Sequence, residues 1–369
     1  MATHLAAVAP AMGAPFEIQS RPTPKPGPGD VLVQVKSVAL NPADHIMRDL
    51  GIHIPEFPAI IGFDISGVIL EVGENVPSAN DQGSGPAYQP GTRVAAYAAA
   101  AFKSCDPDYG AFQEKVLVPW EHVAPIPAEG ISWNEAATLP VAIQVPLSVW
   151  DALGIPRSGG GGGVSSSKKP KKEALLIWGA SSSVGTGGVQ SAKLMKEDGD
   201  SPFAAVYATA GAANQKYINS LGADRVFDYK DPNVVDSIIS AAKEDGVIIR
   251  YCYLAMGQLA QCQAVLKAFA GDSHEKAKIG SAPPLPEDAE AVDGVEAMFV
   301  IPAMEDEEQR LAQFRYWIAT WLREKLASGQ IKPSPEPTVV GRGLDKINTG
   351  LSQLQKGVSC TKLVIEVGE

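Results

Sequence analysis

Cysteine is scarce in this chain: four among 369 residues, Cys105, Cys252, Cys262 and Cys360, scattered without pairing distances. That argues against a disulfide framework and fits reduced thiols in a cytosol. Histidine is as rare, five in all, and His53 and His122 show no ligand spacing, so they read as structural or solvent-exposed. Residue order supports no Ser-His-Asp or Cys-His arrangement. Positive charge is in deficit, with 31 Lys and Arg against 42 Asp and Glu and a formal net charge of -11. Such a surface repels both a polyphosphate backbone and an anionic bilayer, so neither nucleic acid nor membrane is an expected partner. No run approaches 18 uninterrupted apolar residues, and Met1 to Pro15 lacks a basic start followed by a hydrophobic core. Neither a membrane span nor a signal peptide is expected, and a cytoplasmic protein is.

What is present is globular. Hydrophobic residues make up 45% and charged residues 20%, and the length exceeds what one core usually fills, so two domains are expected. The first third carries short alternating runs separated by Gly and Pro, "DVLVQVKSVAL" (30 to 40), "GVILEVG" (67 to 73) and "GTRVAAY" (91 to 97), the pattern of a β-rich domain. Ser132-Trp-Asn-Glu135 reads as a capping box opening an apolar helix to Leu153, broken by Pro140 and Pro146. The stretch "RSGGGGGVSSSKKPKK" (157 to 172) reads as a mobile surface loop; its Lys168, Lys169, Lys171 and Lys172 fit a solvated linker better than a docking patch.

Strand and helix then alternate: "ALLIW", a helix over 184 to 197, "FAAVYAT", 213 to 221, "DRVFDY", 232 to 243, "VIIRYCYLA", 257 to 269, and a last strand "VEAMFVI". Apolar β-branched runs joined by helices predict a doubly wound parallel sheet. Glu305 to Ser328 reads as a long amphipathic helix whose Phe314, Trp317, Ile318 and Trp321 are core or a subunit contact. "TKLVIEV" near the end is another alternating strand, which suggests a return to the first domain.

The run "LLIWGASSSVGTGGVQ" (175 to 190) has the order strand, small-residue turn, helix. Gly179 and Gly185 suit a tight entry and close helix packing. Ser181, Ser182 and Ser183 are small enough for a pyrophosphate to approach and can donate to it, with the helix dipole favouring the anion. The full Gly-x-Gly-x-x-Gly fingerprint is absent, and the βαβ context carries the reading. At the end of the second strand "VYATAGAANQKY" (206 to 217) holds no acid to grip a ribose 2′-hydroxyl. Asn214 and Lys216 suit a 2′-phosphate instead, so NADPH is expected over NADH; Lys216 reads equally as an ordinary exposed helix lysine.

The segments "NPADHIMRDLG" (41 to 51), "GFDISGVILEVGENV" (62 to 76), "PGTRVAAY" (90 to 97), "GAFQEKVLV" (110 to 118), "EAATLP" (135 to 140), "GASSSVG" (179 to 185), "LGADRVFDY" (221 to 229) and "GVSCTKLVIEV" (357 to 367) together resemble the medium-chain dehydrogenase/reductase superfamily. Within it the chain resembles the zinc-independent quinone and enoyl reductase branch, including the fungal stand-alone enoyl reductases that serve polyketide synthases. The resemblance implies an α/β protein: a GroES-like β-rich substrate domain from 1 to 130 and 311 to 369, a Rossmann domain from 131 to 310, and an active site in the cleft. It matches Pro42 to His45 to the segment near the nicotinamide. Gly179, Ala180, Ser181, Ser182, Ser183, Val184, Gly185 and Thr186 match the pyrophosphate turn, Gly211 to Asn214 the 2′-phosphate loop, Tyr229 an adenine-side contact, and Lys362 with Leu363 a late cofactor contact. Zinc-dependent relatives carry a cysteine where this chain has Asn41 and a His-Glu pair where it has Phe63-Asp64. Phenylalanine offers no ligand, so no metal is expected.

The implied chemistry is hydride transfer from NADPH to the β-carbon of an enone or enoyl thioester, or to a quinone, followed by protonation. Asn41, Asp44 and His45 are the catalytic candidates, to orient the nicotinamide or relay a proton. Asp44 reads more readily as the cap of a helix start after Asn-Pro, and His45 equally as a packing residue. Alternatives are a cofactor-binding partner of a polyketide synthase with little turnover of free substrates, docking through the aromatic helix or lysine-rich loop, and a zinc alcohol dehydrogenase, which Phe63 disfavours. A homodimer or a monomer is expected.

Overall fold

The computed structural model describes residues 2–77, 88–157, 171–199, 201–270 and 276–368. The loop expected over 157 to 172 thus lies, from 158 to 170, outside the described residues. The chain divides into one compact unit of Met1–Val141 with Ala303–Glu369, and a second of Ala142–Pro302. The first boundary falls beyond 130 because the short helix Trp133–Ala137 packs on strands of the first unit, where Ser66 Oγ donates to the Trp133 carbonyl (2.7 Å) and Ser37 Oγ to Asn134 Oδ1 (2.8 Å).

The first unit is built on a mostly antiparallel sheet. Pro337–Arg342, Lys362–Glu366, Asp30–Ala39, Asp64–Val72, Arg93–Tyr97 and Val123–Pro125 lie side by side in that order, and Lys115–Pro119 pairs with Asp30–Ala39. Asp30–Ala39 organises it, with Val31, Leu32, Val33, Val35 and Val38 all buried. Its last residue, Ala39, stands opposite Asp64 on one side and Val364 on the other. A separate hairpin joins Thr3–Val8 to Glu17–Pro22.

The expected long amphipathic helix is segmented: Glu307–Phe314, a π-helical turn over Arg315–Leu322, then Arg323–Ala327. Phe314, Trp317, Ile318, Trp321 and Leu322 are all buried, more of the circumference than a regular amphipathic stripe covers, and the wider π turn accommodates them. Phe314 stacks on His122 (ring centroids 3.8 Å) and meets Tyr97 edge-on at 4.9 Å. These aromatics are therefore core, which removes them as the docking face considered from sequence. Burial lowers the His122 pKa to about 3, so this ring is neutral in its aromatic surroundings.

The second unit holds a parallel sheet in the order Arg225–Phe227, Phe203–Thr209, Glu173–Trp178, Ile248–Leu254, Ala277–Ser281, Val295–Phe299. The helices expected after each of the four strands form at Ser183–Glu197, Gln215–Leu221, Val234–Asp245 and Leu259–Lys267. Ala277–Ser281 is a strand the sequence reading missed. The order reverses beside Glu173–Trp178, which makes its carboxyl end the switch point where doubly wound sheets take ligands.

The apolar stretch over 133 to 153 breaks at Thr138, not at its prolines. Pro140 sits in the first turn of Leu139–Leu153, where its missing N–H costs little, and Pro146 is accommodated within that helix. Among the described residues, Trp133–Leu153 is the one stretch long and apolar enough to cross a membrane, but 78% of that window is buried inside the fold, as for a core helix. The capping box forms as read: Ser132 N donates to Glu135 Oε2 (2.8 Å) and Glu135 N to Ser132 Oγ (3.2 Å). Ser132→Ala is expected to cost about 1 kcal/mol, seen as a lower urea midpoint with an unchanged slope.

Candidate cofactor turn and buried polar network

In the second unit the expected cofactor residues gather at the carboxyl ends of three adjacent strands. Glu173–Trp178 runs into Gly179, whose φ of 79° an L side chain rarely adopts; a Cβ there would also lie 2.3 Å from the Met256 carbonyl. The turn is pinned to the next strand, since Gly179 N donates to Thr209 Oγ1 and Ala180 N to the Thr209 carbonyl, both at 2.9 Å. Ser182 caps the helix Ser183–Glu197: its Oγ accepts from Gly185 N (3.1 Å) and donates to the Gly179 carbonyl (2.8 Å). A Cβ at Gly185 would stand 2.4 Å from that same carbonyl, so glycine alone lets turn and helix close up. Thr186 is buried and its hydroxyl donates to the Ser183 carbonyl (2.8 Å). This corrects the expectation for Ser182, whose hydroxyl is committed to the cap. Ser181, Ser183 and Val184 keep partial exposure at the helix N-terminus, the end that favours an anion.

One strand over, Phe203–Thr209 leads to Gly211, whose carbonyl accepts from Asn214 N (2.8 Å). A Cβ on Gly211 would come within 3.7 Å of the Tyr229 ring, so the loop and the half-exposed Tyr229 after Arg225–Phe227 are neighbours. Lys216 is exposed on Gln215–Leu221. The second unit thus brings its expected cofactor residues to one edge of the sheet.

In the first unit Asn41, Asp44, Asp64 and Lys362 form a buried polar network. Asn41 precedes the helix Pro42–Leu50, and its N–H donates to Asp44 Oδ2 (2.6 Å) while Asp44 N donates to the Asn41 carbonyl (3.0 Å). Asp44 therefore closes the helix start, as the Asn-Pro-x-Asp order suggests. The Asn41 amide is tied at both ends: Oδ1 accepts from Lys362 Nζ (2.5 Å), and Nδ2 donates to Asp64 Oδ2 (3.0 Å) and the Ala39 carbonyl (3.4 Å). Lys362 Nζ also pairs with Asp64 Oδ2 at 2.9 Å, with Lys362 3% and Asp64 0% exposed. Asp64 Oδ1 accepts from Val141 N (2.7 Å) in the first turn of Leu139–Leu153.

The network corrects part of the sequence expectation. Asn41 and Asp44 are buried and turned into the first unit, so they hold the segment instead of presenting polar groups to a ligand. His45 alone of the three catalytic candidates keeps partial exposure; it lies 4.0 Å from Asp49, and burial lowers its pKa. Pro42 is exposed. Leu363, buried, donates no side-chain polarity, and its carbonyl accepts from Leu40 N (2.9 Å). Lys362 was expected as a cofactor contact, but its ammonium is spent on Asp64 and Asn41. In the sequence Asp64 stands out only as a departure from zinc-dependent relatives. Phe63 packs edge-on against Tyr97 at 5.5 Å, and among the described residues no group of three or more His, Cys, Asp or Glu could hold a metal ion.

Asp44 Oδ1 is buried without a hydrogen-bond partner. Burial, opposed by the Asn41 N–H and the Lys362 charge and reinforced by Asp64, raises the Asp44 pKa to about 8. With Asp44 carrying its proton, the network balances one ammonium against one carboxylate.

The alcohol dehydrogenase GroES-like domain model matches residues 27–128. A trans-enoyl reductase of Aspergillus flavipes is 37% identical over 98% of this chain and 98% of its own, and a trans-enoyl reductase of Aspergillus terreus is 40% identical over 83% and 94%. The fold is similar to that of an alcohol dehydrogenase superfamily protein from Novosphingobium aromaticivorans, with a TM-score of 0.73 at 20% identity over 99% of this chain and 100% of the other. With a doubly wound parallel sheet in one unit and a GroES-like sheet in the other, the chain belongs to the medium-chain dehydrogenase/reductase superfamily, in the fungal trans-enoyl reductase branch. It is an oxidoreductase, and its family implies a nicotinamide cofactor.

The Asp44 proton has a consequence for stability. An unfolded aspartate deprotonates near 3.8, whereas folded Asp44 keeps its proton to about 8. The folded state therefore binds more protons in that window, and the Asp44 contribution to stability, full below pH 3.8, falls as pH rises towards 8. Urea titrations across the window are expected to show Asp44→Asn with a shallower pH dependence than the parent, and equal slopes would exclude a protonated Asp44.

Proposed function

We propose that the chain is an NADPH-dependent, metal-free reductase that delivers hydride to the β-carbon of an enone or enoyl thioester, with a quinone as the second acceptor class. The observation that carries this reading is the grouping of the Gly179–Thr186 turn, Gly211, Asn214 and Tyr229 along one sheet edge, in a chain whose relatives are named trans-enoyl reductases. The two glycines leave a cradle that a Cβ would fill, which fits a pyrophosphate. Bound there, NADPH supplies the hydride. The residues at the helix N-terminus hold its pyrophosphate, and Lys216 with Asn214 meets the 2′-phosphate, where a carboxylate would repel it. In the first unit, Asn41 and Asp44 fix the segment on which partly exposed His45 stands, and His45 is the candidate to pass a proton to the reduced acceptor. Phe63, and a lysine already paired with Asp64, support chemistry without zinc. The relatives' name further supports an acyl substrate presented by a polyketide synthase in trans.

The test is NADPH oxidation by the full chain against a panel of enones, enoyl thioesters and quinones, with a chelator present and the products analysed. Turnover of one class with chelator present is expected; NADPH binding without turnover of any class, or loss of activity to the chelator, overturns the reading. Lys216→Glu is expected to lower kcat/KM for NADPH about tenfold while leaving NADH nearly unchanged, and an equal loss with both cofactors would remove Lys216 from the 2′-phosphate site.

A further inference from the structure

We propose that Lys362 is a positioning residue of the reductase: its ammonium, bound between Asp64 and the Asn41 amide, locks that amide in one orientation and so fixes the segment from Asn41 to His45. The inference rests on the reading that this segment belongs to the reductase site.

Asn41 Oδ1 faces the Lys362 ammonium at 2.5 Å and Nδ2 faces the Asp64 carboxylate at 3.0 Å. Turning the amide over would set its NH2 against a cation and its oxygen against a carboxylate. In a site where Asn41, Asp64 and Lys362 are all buried, no water screens those contacts, and a single orientation results. Lysine suits the place because its ammonium is a compact charge with several donors on a flexible stem. Asp64 extends the same constraint to Val141 N through its other oxygen (2.7 Å). Asn41 in turn immediately precedes Pro42 and anchors the helix start through Asp44. The ammonium thus governs, at one remove, where Pro42 and His45 stand. The charged and titratable groups around Asp44 are Lys362, Asp64 and Tyr97. Lys362 is the one cation among them, so its removal leaves the buried Asp64 carboxylate without compensation.

A stabilising ion pair alone would also explain why Lys362 is buried, so the experiment separates positioning from stability. The full chain is compared with Lys362→Met and with the double variant Lys362→Met/Asp64→Asn, which removes the ammonium and its matching carboxylate together. Three quantities are measured: steady-state kinetics across pH, thermal midpoint, and the side-chain amide resonances of Asn41 in 15N-labelled protein, assigned with Asn41→Asp. Lys362→Met is expected to lower kcat about tenfold or more with KM for NADPH within about twofold, to displace the pH profile, and to shift or broaden the Asn41 amide pair. The double variant is expected to regain thermal midpoint without regaining kcat. If Lys362→Met does not fold, the double variant carries the comparison alone. Recovery of kcat together with midpoint, or an Asn41 amide pair unchanged by loss of the ammonium, overturns the proposal. A parent chain that turns nothing over defeats the reductase reading, while the amide resonances still decide whether Lys362 fixes Asn41.

Discussion

The buried ion pair between Lys362 and Asp64 is the constraint on which the first unit's candidate site depends. Withdrawing two charges from water costs several kcal/mol per ion, and the attraction offsets this only when the remaining hydrogen-bonding capacity is met. Here it is largely met, by the Asn41 amide, and by Val141 N on the second carboxylate oxygen. Removing one partner of such a pair typically costs about 3–5 kcal/mol. The strand register follows the same logic: Ala39 stands opposite Asp64 and Val364, so three strand ends and two helix starts, those of Pro42–Leu50 and Leu139–Leu153, converge on a single charge pair.

The second unit solves a different problem with backbone instead of charge. Parallel strands release their chains at one edge, and the helix after Glu173–Trp178 begins there with its positive end. The serines of this turn do not weaken the arrangement, because Ser182 spends its hydroxyl on capping the helix and closing the turn on Gly179. The close approach of turn and helix comes from Gly179 and Gly185, with the serine as internal support.

Periodicity made the alternating half of the fold legible: apolar β-branched strands and intervening helices carry their own pattern. Ala277–Ser281 escaped because "AKIGS" is five residues with a lysine and a glycine, too short and mixed to signal a strand. Glu17–Pro22 escaped because nearly all of it is exposed. The π turn over Arg315–Leu322 depends on what Trp317, Ile318 and Trp321 pack against, which spacing alone cannot supply. At the site, Asp44 was readable as a cap, since its partner is three residues away. The Lys362 contact with Asn41 spans 321 positions and depends on which strands pair, so local pattern could not show that the lysine is turned inward.

The placement of Lys362–Glu366 between Pro337–Arg342 and Asp30–Ala39 also bears on how the polypeptide is made. A ribosome delivers Asp64 early and Lys362 nearly three hundred residues later, after the entire Ala142–Pro302 unit has emerged. During that interval the sheet of the amino-terminal unit lacks the two strands at one end, Pro337–Arg342 and Lys362–Glu366, and Asp64 has no ammonium to pair with. In order of synthesis the Ala142–Pro302 sequence is therefore complete before the two late strands that finish the amino-terminal unit's sheet.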